Sequence, residues 1–557
     1  MNYSLSRRFR PQAPKQRTPG PHSASPVSTV TPGPNIRPGA PAEGTPPIYS
    51  LLDQAAQAPL LPRAEQNLEQ LKVMLGNTAD LTTRILHSPV LSDQVAALAW
   101  IDGLVDSELQ SENIIGPLLA GNPTAKKGPP QPLLAVLHQR LISGADVSAG
   151  RTWQEVLTGV LTGKTVIFVD RASAAVLVDT RRAPQRDPQE PEVEAVIRGS
   201  RDGFTEDLRT NTALIRLHLQ SPALRFEEIR LGRQSQIPVN IAYIAGIAHP
   251  QLVQEVRARL LRIAPRFSFN VGSGPIEQLI EDHPFSVFPT IHHSERPDKI
   301  CAQLAEGRVA IVVQGTPVVL TAPTLFWEFL QSPDDYCERP FLASFVRFLR
   351  LTMLVASLTL PSIYVALISF HQELVPTVLA IRIAGGRESV PFPALSEAMM
   401  MELSFEVLRE AGLRIPRPLG QAISIVGILV IGQAAVSAGI VSPIMVVVVA
   451  LTAVASFVSP SYSVAISLRL LRFPLLITAG IAGLYGIAWV LFALVIHLAS
   501  LRSFGVPYLS PVVPFIGENW QDTLIRAPIW MTRRRPFLYT RGSTRVAPQL
   551  SPRPPVS

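Results

Sequence analysis

Cysteine is almost absent from these 557 residues: only Cys301 and Cys337 occur. Two thiols without recurrent spacing exclude a disulfide framework and a thiolate zinc site, and they fit a reducing compartment. An apolar signal-peptide core is also missing, because residues 1–17 are polar and basic. Charge is absent in a patterned way. No Asp, Glu, Lys or Arg occurs in 351–372, 418–468 or 473–501, whereas everything before Arg350 has the composition of water-soluble protein. Catalytic signatures are lacking too: there is no nucleophile elbow, no dinucleotide fingerprint and no catalytic carboxylate pair. Two near approaches fail on context. Thr162-Gly163-Lys164-Thr165 resembles the end of a phosphate loop, but Thr158 stands where glycine is needed and a strand follows. His283, His292 and His293 lie near Glu281, Asp282 and Asp298, yet a stiff Pro-containing stretch intervenes and no helical His pair exists, so loop packing is the expected role. No enzyme activity, cofactor or metal is expected.

What is present divides the chain. A helix crossing the hydrocarbon core needs about 20 mostly apolar residues. Such stretches recur between 351 and 501 and nowhere else. The expected fold class is a multi-domain membrane protein: a cytoplasmic soluble region of mixed α/β type, then a C-terminal α-helical transmembrane bundle. The expected divisions are a Pro/Arg-rich disordered tail (1–48), a helical soluble subdomain (49–144), an α/β subdomain (145–335), a transmembrane domain (345–511) and a basic tail (512–557). The net charge of +8 comes largely from the two ends, with six Lys/Arg against one acid in the first 48 residues and seven Arg against none from Arg526 onward. Beside a membrane block, this charge reads as attraction to anionic membrane lipids; no aromatic-basic interleaving accompanies it, so no nucleic acid is expected.

Local patterns fill in the soluble half. Apolar residues at helical spacing predict helices over 64–75 (Leu68, Leu71, Leu75) and 94–109 (Val95, Leu98, Ile101, Val105). A Pro/Gly/Lys linker follows at 122–132. Short apolar runs at 165–169 and 174–178 predict adjacent strands, as do 239–244, 309–313 and 317–320. A helix opened by Pro250 is expected over 249–263.

In the apolar block, spans are expected at 351–370, 419–439, 443–458 and 473–500, with Pro361 as a kink. Residues 392–410 are apolar enough for a membrane yet contain Glu397, Glu402 and Glu406. Glu402 and Glu406 share a helix face, while Glu397 lies about 140° from Glu402. Ionisable groups at bilayer depth face a protein interior or water, so these three are candidates for lining an ion path. The alternatives are an interfacial helix with its acids in water, or salt bridges to Arg409 and Arg414. Four spans leave both ends inside only if 392–410 does not cross fully. If it crosses, the basic C-terminus falls outside, against the positive-inside tendency. The expectation is both ends inside, with 371–417 partly buried or re-entrant.

Long strings carry a family likeness. Glu190-Pro-Glu-Val-Glu-Ala-Val-Ile-Arg-Gly-Ser-Arg-Asp-Gly-Phe-Thr-Glu-Asp-Leu-Arg-Thr-Asn-Thr-Ala-Leu-Ile-Arg216 and Leu224-Arg-Phe-Glu-Glu-Ile-Arg-Leu-Gly-Arg233 closely resemble the A-subunit family of spore germinant receptors (GerA type). So do Ile280-Glu-Asp-His-Pro-Phe-Ser286, Arg409-Glu-Ala-Gly412, Leu470-Leu-Arg-Phe-Pro474 and Ser503-Phe-Gly-Val-Pro-Tyr-Leu-Ser-Pro511. The resemblance spans roughly 150–536. It implies a subunit in the inner membrane of a spore, working with a transporter-like B subunit and a lipoprotein C subunit, responding to nutrients and forming a homo-oligomeric path for monovalent cations. A non-conducting scaffold or signal-amplifying paralogue shares most of these strings and stays open. Within the first string, Arg198, Gly199, Arg201, Gly203, Phe204, Arg209 and Asn211 are a candidate assembly surface, with Glu192, Glu194 and Glu206 as partners for the arginines. An internal salt-bridge network is the alternative.

Overall fold

The computed structural model describes residues 57–88, 94–119, 147–181, 191, 194, 196, 198–266, 272–414, 432–532, 535–536 and 538–540. The expected tail, the 122–132 linker and most of the 419–439 span lie outside these residues.

The soluble half is built twice to one plan. The first lobe contains α1 (Ala64–Met74), β1 (Leu81–Ser88), β2 (Gln94–Ile101), β3 (Val147–Gly150), α2 (Trp153–Leu161), β4 (Lys164–Val169) and β5 (Ala175–Asp179). The second contains α3 (Leu208–His218), β6 (Leu224–Leu231), β7 (Ile237–Ile244), α4 (Pro250–Ile263), β8 (His292–Ser294), α5 (Pro297–Ala305), β9 (Val309–Val313) and β10 (Val319–Ala322). The sheets run β1-β2-β4-β5-β3 and β6-β7-β9-β10-β8, the same order, with every pair antiparallel. Contacts repeat at a spacing of 144 residues. The Asn67 side chain brackets the backbone N–H and carbonyl of Leu61; Asn211 does the same to Thr205. The Ala64 N–H donates to Asp170 Oδ1, and the Leu208 N–H donates to Gln314 Oε1. Gly163 and Gly307, at φ 88° and 94°, turn each lobe's helix into the strand after it. That conformation is open chiefly to glycine.

The expected strands and the helices opening at Ala64 and Pro250 are present. The helix expected over 94–109 is instead β2, between β1 and β4. Ala96, Ala97, Leu98 and Ala99 are buried on both faces, and a continuous apolar run has no period that separates strand from helix. The first sheet therefore draws strands from both sides of residue 144. One apolar cluster joins the lobes through α1 and α3, and Arg216, fully buried, donates from Nε and Nη2 to the Asp80 carboxylate at 2.7 and 3.1 Å.

After β10 the chain enters the helical domain: α6 (Pro340–Ser369), α7 (Thr377–Arg387), α8 (Ala394–Arg414), α9 (Pro443–Phe457) and α10 (Tyr462–Ser500). Two of these, α6 and α10, are long and apolar enough to cross a membrane. α10 is not one rod. It reverses at Gly483, where φ is 59° and ψ −142°. A Cβ there would sit 2.7 Å from the His371 ring. Both ends of α10 then reach one loop of the second lobe: Ser467 donates to the Val287 carbonyl, and His497 Nε2 lies 3.1 Å from Ser286 Oγ. The expected single span over 473–500 is thus a helical hairpin, because a glycine at positive φ breaks an otherwise uninterrupted apolar run.

The hairpin returns the chain to the second lobe. Phe504, Val506 and Tyr539 enter its core beneath α4, with Leu538 packed against them. In the first lobe, Asp106 N–H donates to the Thr180 carbonyl and Val105 bridges Arg181. In the second, His249 N–H donates to the Tyr539 carbonyl and Ala248 bridges Thr540. Residues 539–540 thus close the second lobe as 180–181 close the first, so part of the stretch expected as a basic tail is structural.

Burial and the neighbouring Glu281 push the Glu277 carboxyl, in the short helix Gly274–Ile280, up to about 7. The folded state then holds this proton better than the unfolded chain does, so stability falls as pH rises from about 4.5 through 7. Glu277→Gln should raise the melting temperature at pH 8 and change it little at pH 4.5, measured by thermal unfolding of the full chain in detergent.

Candidate functional site: a ladder of ion pairs inside the helical domain

Pro393 precedes α8, and its carbonyl accepts the Glu397 N–H. The helix then runs 21 residues through the helical domain, alongside and antiparallel to the first half of α10. Its start meets the far end, where a Cβ at Gly480 would collide with Leu395; its later turns meet Tyr462, to whose hydroxyl Arg409 Nη1 donates at 3.5 Å. The three carboxylates expected on this helix all point inward or along this contact.

Glu397 is fully buried. Its Oε1 accepts from the Ser442 N–H at 2.7 Å and from Ser442 Oγ at 2.5 Å, and Arg387 of α7 lies 3.2 Å from Oε2. Ser442 is the N-cap of α9, so the carboxylate fixes the start of that helix.

Glu402, 2% exposed, pairs with Arg472 of α10. The origin of this rung lies in α6. Pro361 has no N–H, so the Ser357 carbonyl four residues earlier lacks its helical partner. Arg472 Nε donates to that carbonyl at 2.9 Å while Nη1 holds Glu402. One guanidinium thus ties the break in α6 to α8 and α10.

Glu406 pairs with Arg409, as one alternative reading of the sequence anticipated, and lies 3.9 Å from Arg469. Arg469 in turn donates to the Ala465 carbonyl at 3.1 Å and sits 5.9 Å from the Tyr462 ring centroid. Glu402 and Glu406 thus face Arg472 and Arg469 across two antiparallel helices. In this conformation each of the three carboxylates is held by an arginine of the same chain. Burying a charge is costly unless it is paired and hydrogen-bonded, and a ladder of this kind fixes which helices meet and in what register.

The candidate assembly residues separate. Arg198 is exposed; its N–H donates to Asp334 and its Nη1 to the Cys337 carbonyl. Gly199 is exposed at φ 149°, beside Arg296, and Arg201 is exposed. Gly203 and Phe204 are buried. Arg209 lies within 4 Å of Asp102 and Glu228 of its own chain. Asn211 is fully buried, as the second copy of the Asn67 bracket. Phe204 and Asn211 thus serve the interior of the lobe, whereas Arg198, Gly199 and Arg201 are exposed and the Arg209 side chain is partly so. Glu194 pairs with Lys299 and receives the Ser294 hydroxyl, while Glu192 lies outside the described residues.

Sequence reasoning anticipated Arg409 but missed Arg387, Arg469 and Arg472 as partners in the ladder. The signal was present: Arg469 and Arg472, three apart between uncharged stretches, at the spacing that faces one side of a helix.

Removing one partner of a buried pair leaves the other charge uncompensated, a cost of about 3–5 kcal/mol. Glu402→Gln should therefore lower the melting temperature of the full chain in detergent more than Glu402→Gln combined with Arg472→Gln. Additive losses would show that the pair is not coupled.

Comparison with known proteins adds the lineage. The family model described as the Bacillus/Clostridium GerA spore germination protein matches residues 69–538. Spore germination protein KA of Bacillus subtilis (strain 168) is 42% identical over 485 residues, 87% of this chain and 88% of the relative. Uncharacterized membrane protein YfkQ of the same organism is 40% identical over 492 residues, 88% of this chain and 94% of the relative. Among solved structures, the N-terminal domain of the A subunit of the Bacillus megaterium spore germinant receptor GerK3 matches 48% of this chain and 98% of that one, at 30% identity and a TM-score of 0.38.

Proposed function

The chain belongs to the GerA spore germination family, and from that membership we propose that it is the A subunit of a nutrient germinant receptor in the inner membrane of a spore. In this reading the helical domain spans the membrane and the two lobes lie on the cytoplasmic side. Copies of the chain associate with each other, with a transporter-like B subunit and with a lipoprotein C subunit, and together they gate a path for monovalent cations.

The observation that carries the reading is the paired ladder. Glu397 and Glu402 are buried carboxylates, and Glu406 a partly exposed one, in a domain whose two long helices are apolar enough for a bilayer. Ionisable groups in such surroundings are retained where a charge must be moved or met. Held by arginines, the carboxylates are neutralised and offer cations no site; freed from them by a shift of α10 against α8, they would line a route for cations. The Glu402–Arg472 pair is the rung to break, since Arg472 also holds the Pro361 site of α6.

The lobes and the returning C-terminal segment support the orientation. Both lie at the end of the helical domain where α6 begins and α10 ends, so one side of the membrane would carry them together. The basic residues that follow Arg526 then fall on the side where Lys and Arg accumulate.

The test is cation release from liposomes holding the purified chain with its B and C partners. Nutrient-triggered release, altered at least about tenfold by Glu402→Gln (a barrier change of about 1.4 kcal/mol), is expected. No release from a correctly assembled complex would move the protein to a non-conducting scaffold.

A further inference from the structure

The first turns of α6 and the returning segment beside them leave a large apolar surface uncovered. Phe341 is 90% exposed, Phe345 and Phe348 are each more than half exposed, and the spacing of four and three puts all three on one face of the helix. Ile525 and Ile529, also more than half exposed, and the exposed Trp530 add to this surface. The two segments are tied together at Ser344, whose Oγ accepts the Arg526 N–H at 3.0 Å and donates to the Arg526 carbonyl at 3.4 Å. We propose that this surface lies in the lipid headgroup layer and seats the second lobe on the membrane.

The placement of charge selects lipid over water. Between Pro340 and Leu349 the only charged side chain is Arg347, and between Ile525 and Met531 it is Arg526. Both are buried. Arg347 turns inward to Asp335 and Asp522, at 3.0 and 3.1 Å. Arg526 donates to the Glu338 and Tyr336 carbonyls at 2.7 and 3.2 Å. A surface made for water turns its charges outward; this one turns them in and leaves aromatic and branched groups outside.

Length and continuity select lipid over a protein partner. α6 has 30 residues. At 1.5 Å per residue that is about 45 Å, the thickness of a hydrocarbon core with both headgroup layers. The first turns of α6 therefore fall at headgroup depth. Val355, half-exposed two turns beyond Phe348, carries the same apolar exterior into the charge-free stretch that crosses. Phe285, fully exposed, stands at the same level, because the next residue, Ser286, meets His497 near the end of α10. Trp is enriched at this depth, and arginines beside it meet lipid phosphates. Arg339, which is exposed, precedes the first segment, and Arg533, Arg534 and Arg535 follow the second. The proposal rests on the reading that the helical domain spans a membrane.

The test uses the full chain carrying Cys301→Ser and Cys337→Ser, reconstituted in liposomes. A fluorophore is placed on one introduced cysteine, and the lipid carries a nitroxide quencher at either a shallow or a deep position of its acyl chain. At Ile529→Cys the shallow quencher should lower emission about twofold, and more than the deep one does. Val355→Cys, in the span, should be quenched by both, and Val73→Cys, exposed on α1 of the first lobe, by neither. Quenching at Ile529→Cys by aqueous iodide alone would place the surface in water. Shielding there from both iodide and nitroxide would place it against a protein. Either result, with Val355→Cys quenched as expected, overturns the proposal and leaves the spanning reading intact. An unquenched Val355→Cys would overturn the spanning reading and the proposal with it.

Discussion

The structure depends on a backbone pairing between residues far apart in the chain. The His249 N–H donates to the Tyr539 carbonyl, and Ala248 bridges Thr540. The first lobe makes the same closure with its own next residues, 180 and 181. The second cannot, because after β10 its chain leaves for the helical domain. Its closing strand has to come back from the other side of that domain. A buried backbone group without a partner is costly, so this requirement constrains the whole topology. The chain must leave the lobes and return to them, which requires an even number of traverses of the helical domain. The reversal at Gly483 meets that requirement by turning one long apolar run into two antiparallel halves.

Inside the helical domain, helices that share apolar clusters are also joined by polar links. Here the links start from a local defect. Pro361 leaves the Ser357 carbonyl open; Arg472 fills it, and the same guanidinium holds Glu402. Arg469 and Glu406 repeat the pairing nearer the lobes, and Glu397 caps α9 through Ser442. A set of paired charges has a limited number of good arrangements.

Much of this was legible in the sequence, and the limits have physical causes. The strands over 164–169 and 175–179 and the helix at Pro250 follow from short apolar runs, turn residues and a proline at the first helical position. The strand at Gln94–Ile101 was missed because a core strand buried on both faces lacks alternation. The hairpin in α10 was missed because Gly483 is one glycine among several in an apolar run, and only its φ distinguishes it. The carboxylates were visible as charges in an apolar stretch, but Arg472 lies 70 residues from Glu402, and pairing at that distance is a property of the fold. The doubled lobe was readable in principle: Asn67 and Asn211, Gly163 and Gly307 recur at one spacing. That spacing explains Asn211 as an internal bracket, whereas its place in a recognisable string pointed to a surface.

The central claim is that the C-terminal segment completes the second lobe, and it can be tested with paired cysteines. In a chain carrying Cys301→Ser and Cys337→Ser, Ala248→Cys with Thr540→Cys should form a disulfide on mild oxidation in membranes. Bridged partners on antiparallel strands lie at Cα separations of about 4.5–5.5 Å, within the range that a disulfide spans. Val105→Cys with Arg181→Cys, the matching pair in the first lobe, is the positive control. Closure of both pairs to similar extents is the predicted result. Closure of the first-lobe pair alone, with the chain folded and inserted, would contradict the account.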